Sequence, residues 1–326
     1  MSLFRSTYSL AALVLMTVSA LAAQPTAKRI AVILDTDIGD DIDDTWALAL
    51  ALKCPELDVK LVVTDAGKGI YRATLLAKLL TTAGRTDIPI GVGQGEREGT
   101  GSQQEWIKDY NLATYPGKVY DDGPQAVIDT IQASPELVTL IAIGPPPNLA
   151  EVLRRAPKVA EKVRLVGMFG AVRKGYAGSN DVTPEYNVKT DVAASQAVFT
   201  APWEMTITPL DTCSLVVLRG DRYARIVNSA DPLVKAVIEN YKLWSTKDKS
   251  SADQKDKALN ESSVLFDTVA VYLATADKFC QMELLPIRVT DQGMTIVDPG
   301  AKKMRVAIAW KDLDGFEDWL VTRMTN

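Results

Sequence analysis

Residues 29–52 read RIAVILDTDIGDDIDDTWALALAL. After Arg29 the stretch to Leu34 is an unbroken apolar run without alternation, the pattern of a strand buried on both faces of a sheet. Residues 45–52 are rich in Ala and Leu and predict a helix. Between them Asp35, Asp37, Asp40, Asp41, Asp43 and Asp44 crowd around Gly39. A buried strand turning directly into an apolar helix is the opening unit of a parallel α/β sheet. In such sheets ligands bind beyond the carboxyl ends of the strands, where these carboxylates lie.

The alternation continues outward. Residues 59–64, 88–92, 138–143, 163–169, 203–207 and 305–309 read as strands, and 73–80, 127–132, 149–155 and 193–198 as helices. This implies an α/β fold with one open, mostly parallel sheet flanked by helices. Neither an internal repeat nor a Gly/Ser linker divides the chain, so one domain is expected over residues 24–326. The polar stretch 245–262 is the candidate lid. In front, Arg5, an apolar run at 10–18 and Ser19-Ala20-Leu21-Ala22-Ala23 have the layout of a secretory signal over residues 1–23, too short to span a bilayer. Its removal would place the mature protein in the periplasm or outside the cell, with no membrane contact.

Composition narrows the chemistry. The chain of 326 residues carries 36 Lys plus Arg against 41 Asp plus Glu, a net charge of −5, and no histidine. Mild acidity argues against nucleic acid as a partner, because phosphate binding wants a basic surface. Without histidine there is no Ser-His-Asp triad, no His-ligated zinc and no imidazole acid or base. Cys54, Cys213 and Cys280 are too widely spaced for a disulfide framework or a metal motif. What remains are carboxylates, amides, phenols, ammonium groups and a hard metal ion.

Six carboxylates so close together repel one another unless water or a cation intervenes. Helix capping accounts for Asp43 or Asp44, which precede the helix. It does not account for Asp35 and Asp37, which leave a buried strand and are expected to point above the sheet. The donor type calls for a hard, oxygen-loving cation, Ca²⁺ or Mg²⁺. The spacing is not that of an EF-hand, since Gly39 falls at its fifth position and no Glu closes the loop.

Leu34-Asp35-Thr36-Asp37-Ile38-Gly39 followed by Asp43-Asp44-Thr45-Trp46-Ala47 resembles the aspartate motif of the inosine-uridine-preferring nucleoside hydrolases. Further segments agree in order: Thr64-Asp65-Ala66-Gly67, Ile88-Pro89-Ile90-Gly91-Val92-Gly93, Ile143-Gly144-Pro145, Asn148-Leu149-Ala150, Met168-Phe169-Gly170, Asn180, Glu185-Tyr186-Asn187 and Phe266-Asp267. The resemblance runs from about residue 29 to the end. It implies a nucleoside hydrolase-like fold with a Rossmann-like core, a dimeric or tetrameric assembly, and hydrolysis of the N-glycosidic bond of ribonucleosides or related ribosides. It further implies Ca²⁺ held by Asp37, Asp44, the Ile143 carbonyl and Asp267, with Asp37 also the general base toward the attacking water. Asp43 is similar to the aspartate that holds a ribose hydroxyl, and Asn180, Glu185 and Asn187 match residues that grip the sugar. Asp40 and Asp41 lengthen the loop by two residues, so Asp41 competes with Asp43.

Two departures bear on the substrate. Phe266 stands where many members carry a histidine that protonates the leaving base, and Lys68 stands where an asparagine touches the sugar. Tyr241 and Trp244, three apart and on one face of a helix, are candidates for donating a proton to the base and stacking on it. They serve equally well as packing aromatics. Asp35-Thr36-Asp37 also resembles the Asp-x-Asp motif of haloacid dehalogenase-type phosphatases, but Gly39 and the lack of a later acidic pair speak against that. An exported Ca²⁺-dependent nucleoside- or ribose-binding protein is the alternative from a different class, kept open by the missing histidine, since acid catalysis is worth about 10²–10⁴-fold.

Overall fold

The computed structural model describes residues 28–246 and 260–326. The expected leader, residues 1–23, and most of the expected lid, at 247–259, lie outside them. Among the described residues the strands are β1 (Ile30–Thr36), β2 (Leu57–Thr64), β3 (Ile90–Gly91), β4 (Val119–Tyr120), β5 (Val138–Ala142), β6 (Val163–Met168), β7 (Glu204–Thr208), β8 (Cys280–Val289), β9 (Thr295–Val297) and β10 (Lys303–Trp310). They form one sheet in the order β4-β3-β2-β1-β5-β6-β7-β10-β8-β9. From β4 across to β10 every pairing is parallel, and β8 and β9 close the edge antiparallel.

The central strands explain why the sequence showed no alternation. Val32 and Leu34 enter one core and Ile33 the other, so both faces of β1 are covered. The helix Asp43–Lys53 packs on the first face with Gly69–Thr82, Thr268–Thr275 and Leu313–Thr325. Helices Gly123–Ala133, Pro147–Arg155 and Val192–Thr200 cover the other. Asp43–Lys53 is buried along nearly its whole length, as an Ala/Leu helix without a polar face must be. No helix among the described residues is long and apolar enough to cross a membrane. The three cysteines are buried and unpaired.

The predicted strands all fall within observed ones or one or two residues off them. β4, β8 and β9 were not expected. β4 and β9 are only two and three residues long, and β8 carries Pro286 and a mostly half-exposed surface, so none of the three shows a two-sided apolar run.

One feature of the topology positions the site. After β1 the chain builds the sheet one way through β2, β3 and β4, and then returns to lay β5 on the other side of β1. Asp35 pairs with Ala142, and the Ile143 N–H donates to the Asp35 carbonyl at 2.9 Å. The crevice where the strand order reverses therefore opens directly above Asp37 and Ile143, the place where open α/β sheets bind ligands.

Candidate active site

Two helices deliver carboxylates to this crevice. Asp43 and Asp44 occupy the first turn of Asp43–Lys53, whose N-cap, Ile42, has no side-chain cap bond. Asp267 is the N-cap of Thr268–Thr275, again without a side-chain cap bond. The two helices pack together, so their positive ends face one cluster and favour negative charge there. Carboxylate oxygens of Asp43, Asp44 and Asp267 all lie within 4.8 Å of one another, and all three residues are buried. The capping reading of Asp43 and Asp44 is thus only part of their role: they stand in the first turn and converge with a residue more than two hundred positions away.

These groups line a cavity of about 260 Å³ together with Asp37, Asp40, Asp41 and the Ile143 segment. Glu185, Asn187, Met168, Tyr176, Tyr186 and Phe266 complete its lining. Burial raises Asp43, Asp44 and Asp267 well above the ordinary carboxyl range, and mutual repulsion adds to it. Burial likewise lifts Asp37 to about 6, against the pull of the nearby Arg72 guanidinium. A buried set of oxygen donors that resist ionising together fits a hard divalent cation, which would neutralise them.

The aspartate loop is held from below by Arg72, which sequence reading passed over inside an apolar helix. Its guanidinium, 1% exposed, donates to the carbonyls of Asp37, Ile38 at 2.8 Å and Gly67 at 2.9 Å, and to the Asp40 carboxylate at 2.9 Å. Burial disfavours ionised Asp40, but Lys68 and Arg72 outweigh it and hold its carboxyl below the usual range. Lys68 pairs with Asp40 at 2.6 Å and does not line the cavity. Gly39, at φ +108, permits the turn after Ile38 and lies against the Tyr71 ring.

At the β5 end, a Cβ on Gly144 would sit 2.9 Å from Asp37 Oδ1 and 3.0 Å from its backbone nitrogen. Gly144→Ala is therefore expected to displace the Asp37 carboxyl and lower turnover on the order of 10²-fold with the fold intact. Steady-state kinetics beside a melting curve check this; an alanine variant with unchanged kinetics would show that the Asp37 position is not critical.

Glu185 turns its carboxylate inward, where it accepts the N–H groups of Gly170 at 2.9 Å, Asn187 at 2.7 Å and Val188 at 3.2 Å. Burial nevertheless lifts it to about 7. Asn187 Nδ2 donates to the Met168 carbonyl at 3.0 Å and the Ile143 carbonyl at 3.3 Å, tying three segments together.

Four residues stand elsewhere than expected. Asp35 does not reach above the sheet: it is fully buried beneath, accepting from Asn148 Nδ2 at 2.7 Å. Asn180 is exposed on the loop after β6, bonded to Lys174 and outside the cavity lining. Tyr241 packs edge-on to Trp46 and Tyr223 and stacks on Trp244, and its hydroxyl donates to the Glu261 carbonyl. Neither Tyr241 nor Trp244 lines the cavity. The face they share is a packing face, because the helix Pro232–Ser245 covers Asp43–Lys53 rather than the crevice. Asp41 is exposed at the cavity mouth while Asp43 lies deep in it. Tyr176, Tyr186 and Met168 were given no role from the sequence, since no local pattern marks an aromatic or a methionine as facing a crevice.

The sequence model of the inosine-uridine preferring nucleoside hydrolases matches residues 32–318. Non-specific ribonucleoside hydrolase RihC of Escherichia coli O1:K1 is 28% identical over 313 residues, 90% of this chain and 97% of that protein. Its counterpart in Shigella boydii serotype 18 is 27% identical over 318 residues, with the same coverage. Among solved structures a plant nucleoside hydrolase aligns with a TM-score of 0.76 at 22% identity, over 91% of this chain and 99% of that one. The purine-preferring ribonucleoside hydrolase of Gardnerella vaginalis aligns at 0.70 and 20% identity, over 90% of this chain and 98% of that one. Nothing among them favours a binding protein or a phosphatase. With the match spanning nearly the whole chain, this protein belongs to the inosine-uridine preferring nucleoside hydrolases, enzymes that cleave the N-glycosidic bond of nucleosides.

Proposed function

We propose that this chain hydrolyses ribonucleosides to ribose and free base in a Ca²⁺-dependent reaction with Asp37 as general base. The supporting observation is the meeting of Asp37, Asp44, Asp267 and the Ile143 segment with Glu185 and Asn187 in one cavity above the β1/β5 crevice. Asp37, Asp44, Asp267 and the Ile143 carbonyl would hold the cation, and Asp43 is close enough to share it while its second oxygen takes a ribose hydroxyl. A bound Ca²⁺ supplies Lewis acidity to water and a clasp for the vicinal diol of the sugar.

Asp37 takes the proton of the attacking water, and its raised affinity for protons suits a base that works near neutral pH. As the bond to the base breaks, C1′ gains oxocarbenium character. The buried carboxylates of Asp37, Asp43 and Glu185 surround that growing positive charge, and fixed charges act more strongly when removed from water. Glu185, already fixed by three backbone N–H groups, keeps its one remaining lone pair, on Oε1, for the sugar without reorganising.

Because the diol is the proposed anchor, ribonucleosides are expected to outpace their 2′-deoxy counterparts by roughly 10²-fold or more in kcat/KM. Reducing-sugar release across a panel of ribo- and deoxyribonucleosides reads this directly. Equal rates on the two series would remove the diol from the mechanism, and no release from any nucleoside would remove the function.

A further inference from the structure

The cavity is chemically mixed. Carboxylates and the Asn187 amide share the lining with Met168, Tyr186 and the Tyr176–Phe266 aromatic pair. With ribose held by the carboxylates, as proposed above, the leaving base falls to the aromatic residues. The usual proton donors are missing there. The chain has no histidine, and among the described residues no Lys or Arg lines the cavity. Phenolic hydroxyls are the donors left there. Of the two tyrosines Tyr186 is the more exposed, at 51% against 42% for Tyr176. The Tyr176 hydroxyl accepts the Tyr186 backbone N–H at 3.2 Å, which uses an oxygen lone pair and leaves its own proton without a protein acceptor among the described residues.

Tyr176 is also held in place. Its ring meets Phe266 edge-to-face, with centroids 6.1 Å apart and planes at 82°. The turn that carries it is tight: the Gly175 N–H donates to the Ser179 carbonyl at 2.8 Å, and a Cβ on Gly175 would lie 2.2 Å from the Asp181 carbonyl oxygen. Ala177 and Gly178 follow with φ of 54° and 74°.

We propose that Tyr176 is the hydrogen-bond donor to the departing nucleobase, set in place by its edge-to-face contact with Phe266. Its preferred partners are bases that leave as poor, charge-localised anions and present a ring nitrogen or carbonyl oxygen, as hypoxanthine and uracil do. The electron pair of the C1′–N bond goes to the base nitrogen, the hydroxyl of water bonds to C1′, and its proton passes to Asp37. The base collects its proton from solvent, and Asp37 returns its own there, while Tyr176 keeps the phenolic proton. Burial, and after it the Glu185 carboxylate, push Tyr176 up to about 12, so the hydroxyl stays protonated as a donor requires.

Tyr176→Phe keeps the ring and its contact with Phe266 and removes only the hydroxyl. Wild type and variant are compared on inosine, uridine and 4-nitrophenyl β-D-ribofuranoside, whose nitrophenolate leaves readily unaided. The variant should lose about 10²-fold in kcat on inosine and uridine, the usual scale for removing a donor to developing charge, and stay within roughly 3-fold on the nitrophenyl riboside. The ratio of the two losses does not depend on how much of the variant is folded. Equal losses on all three substrates, or no loss on any, would overturn the assignment. Failure of the wild type on all three would instead overturn the ribonucleoside reading on which it rests.

Discussion

Asp37→Ala is expected to lower kcat/KM for ribonucleosides by roughly 10³-fold or more, the combined scale of losing a general base and a cation-holding oxygen. Asp37 leaves the end of β1, is 8% exposed, and faces the Ile143 segment across the crevice. No neighbour stands ready to replace it. Asp40 is taken by Lys68 and Arg72, and Asp41 is out at the mouth. The loss should not come from unfolding, because Arg72 grips the backbone carbonyl of Asp37 and not its side chain. Burial already disfavours the ionised carboxyl, so the alanine variant without added cation should melt no lower than wild type. Ribose release at saturating Ca²⁺ beside a melting curve separates the two effects. A variant that released ribose at the wild-type rate would strip Asp37 of its role.

The second large effect concerns the cation. Chelation should abolish turnover, and Ca²⁺ at about a hundred times its dissociation constant should stabilise the fold by about 2.7 kcal/mol, raising Tm by about 4 °C. The sign of the pH dependence follows from the carboxyl shifts. Asp37 is raised to about 6, and Asp43, Asp44 and Asp267 are raised well above the ordinary value, all first by burial. A carboxyl whose folded value lies above its unfolded one favours the fold at low pH and loses that contribution as pH climbs through the folded value. The metal-free protein should therefore weaken as pH rises from about 4 toward neutrality, with repulsion inside the cluster growing. Added Ca²⁺ reverses this, because binding requires the deprotonated ligands. The Ca²⁺-induced rise in Tm should be larger at pH near 8 than near 5. Differential scanning fluorimetry in matched buffers measures it, and a Tm insensitive to Ca²⁺ at both pH values would exclude a cation from the cluster.

How much of this was legible beforehand differs from residue to residue. The two-sided burial of β1 forces an apolar run with no alternation, so the strand and the carboxylates behind it could be read directly. Glu185 and Asn187 could be named from the sequence because they stand in the three-residue segment Glu185-Tyr186-Asn187 that carries the resemblance. Asn180 has the same kind of neighbourhood, yet the loop that carries it turns outward to Lys174. Tyr241 and Trp244 share a helix face, as their spacing implies, but spacing says nothing about whether that face meets a cavity or another helix. Arg72 was invisible because a buried arginine whose partners are backbone carbonyls leaves no sequence pattern.

The sequence by itself determined the parallel α/β layering, the family, and the chemistry available to a chain without histidine. Those follow from side-chain type and short-range periodicity, which are local properties. Which carboxylates meet was decided only in three dimensions. Asp267 reaches Asp43 and Asp44 because two helices dock with their starts together, and Tyr176 faces the crevice because a tight turn after β6 folds back over Phe266. Such contacts depend on packing between elements far apart in the chain, and packing is a property of the assembled core.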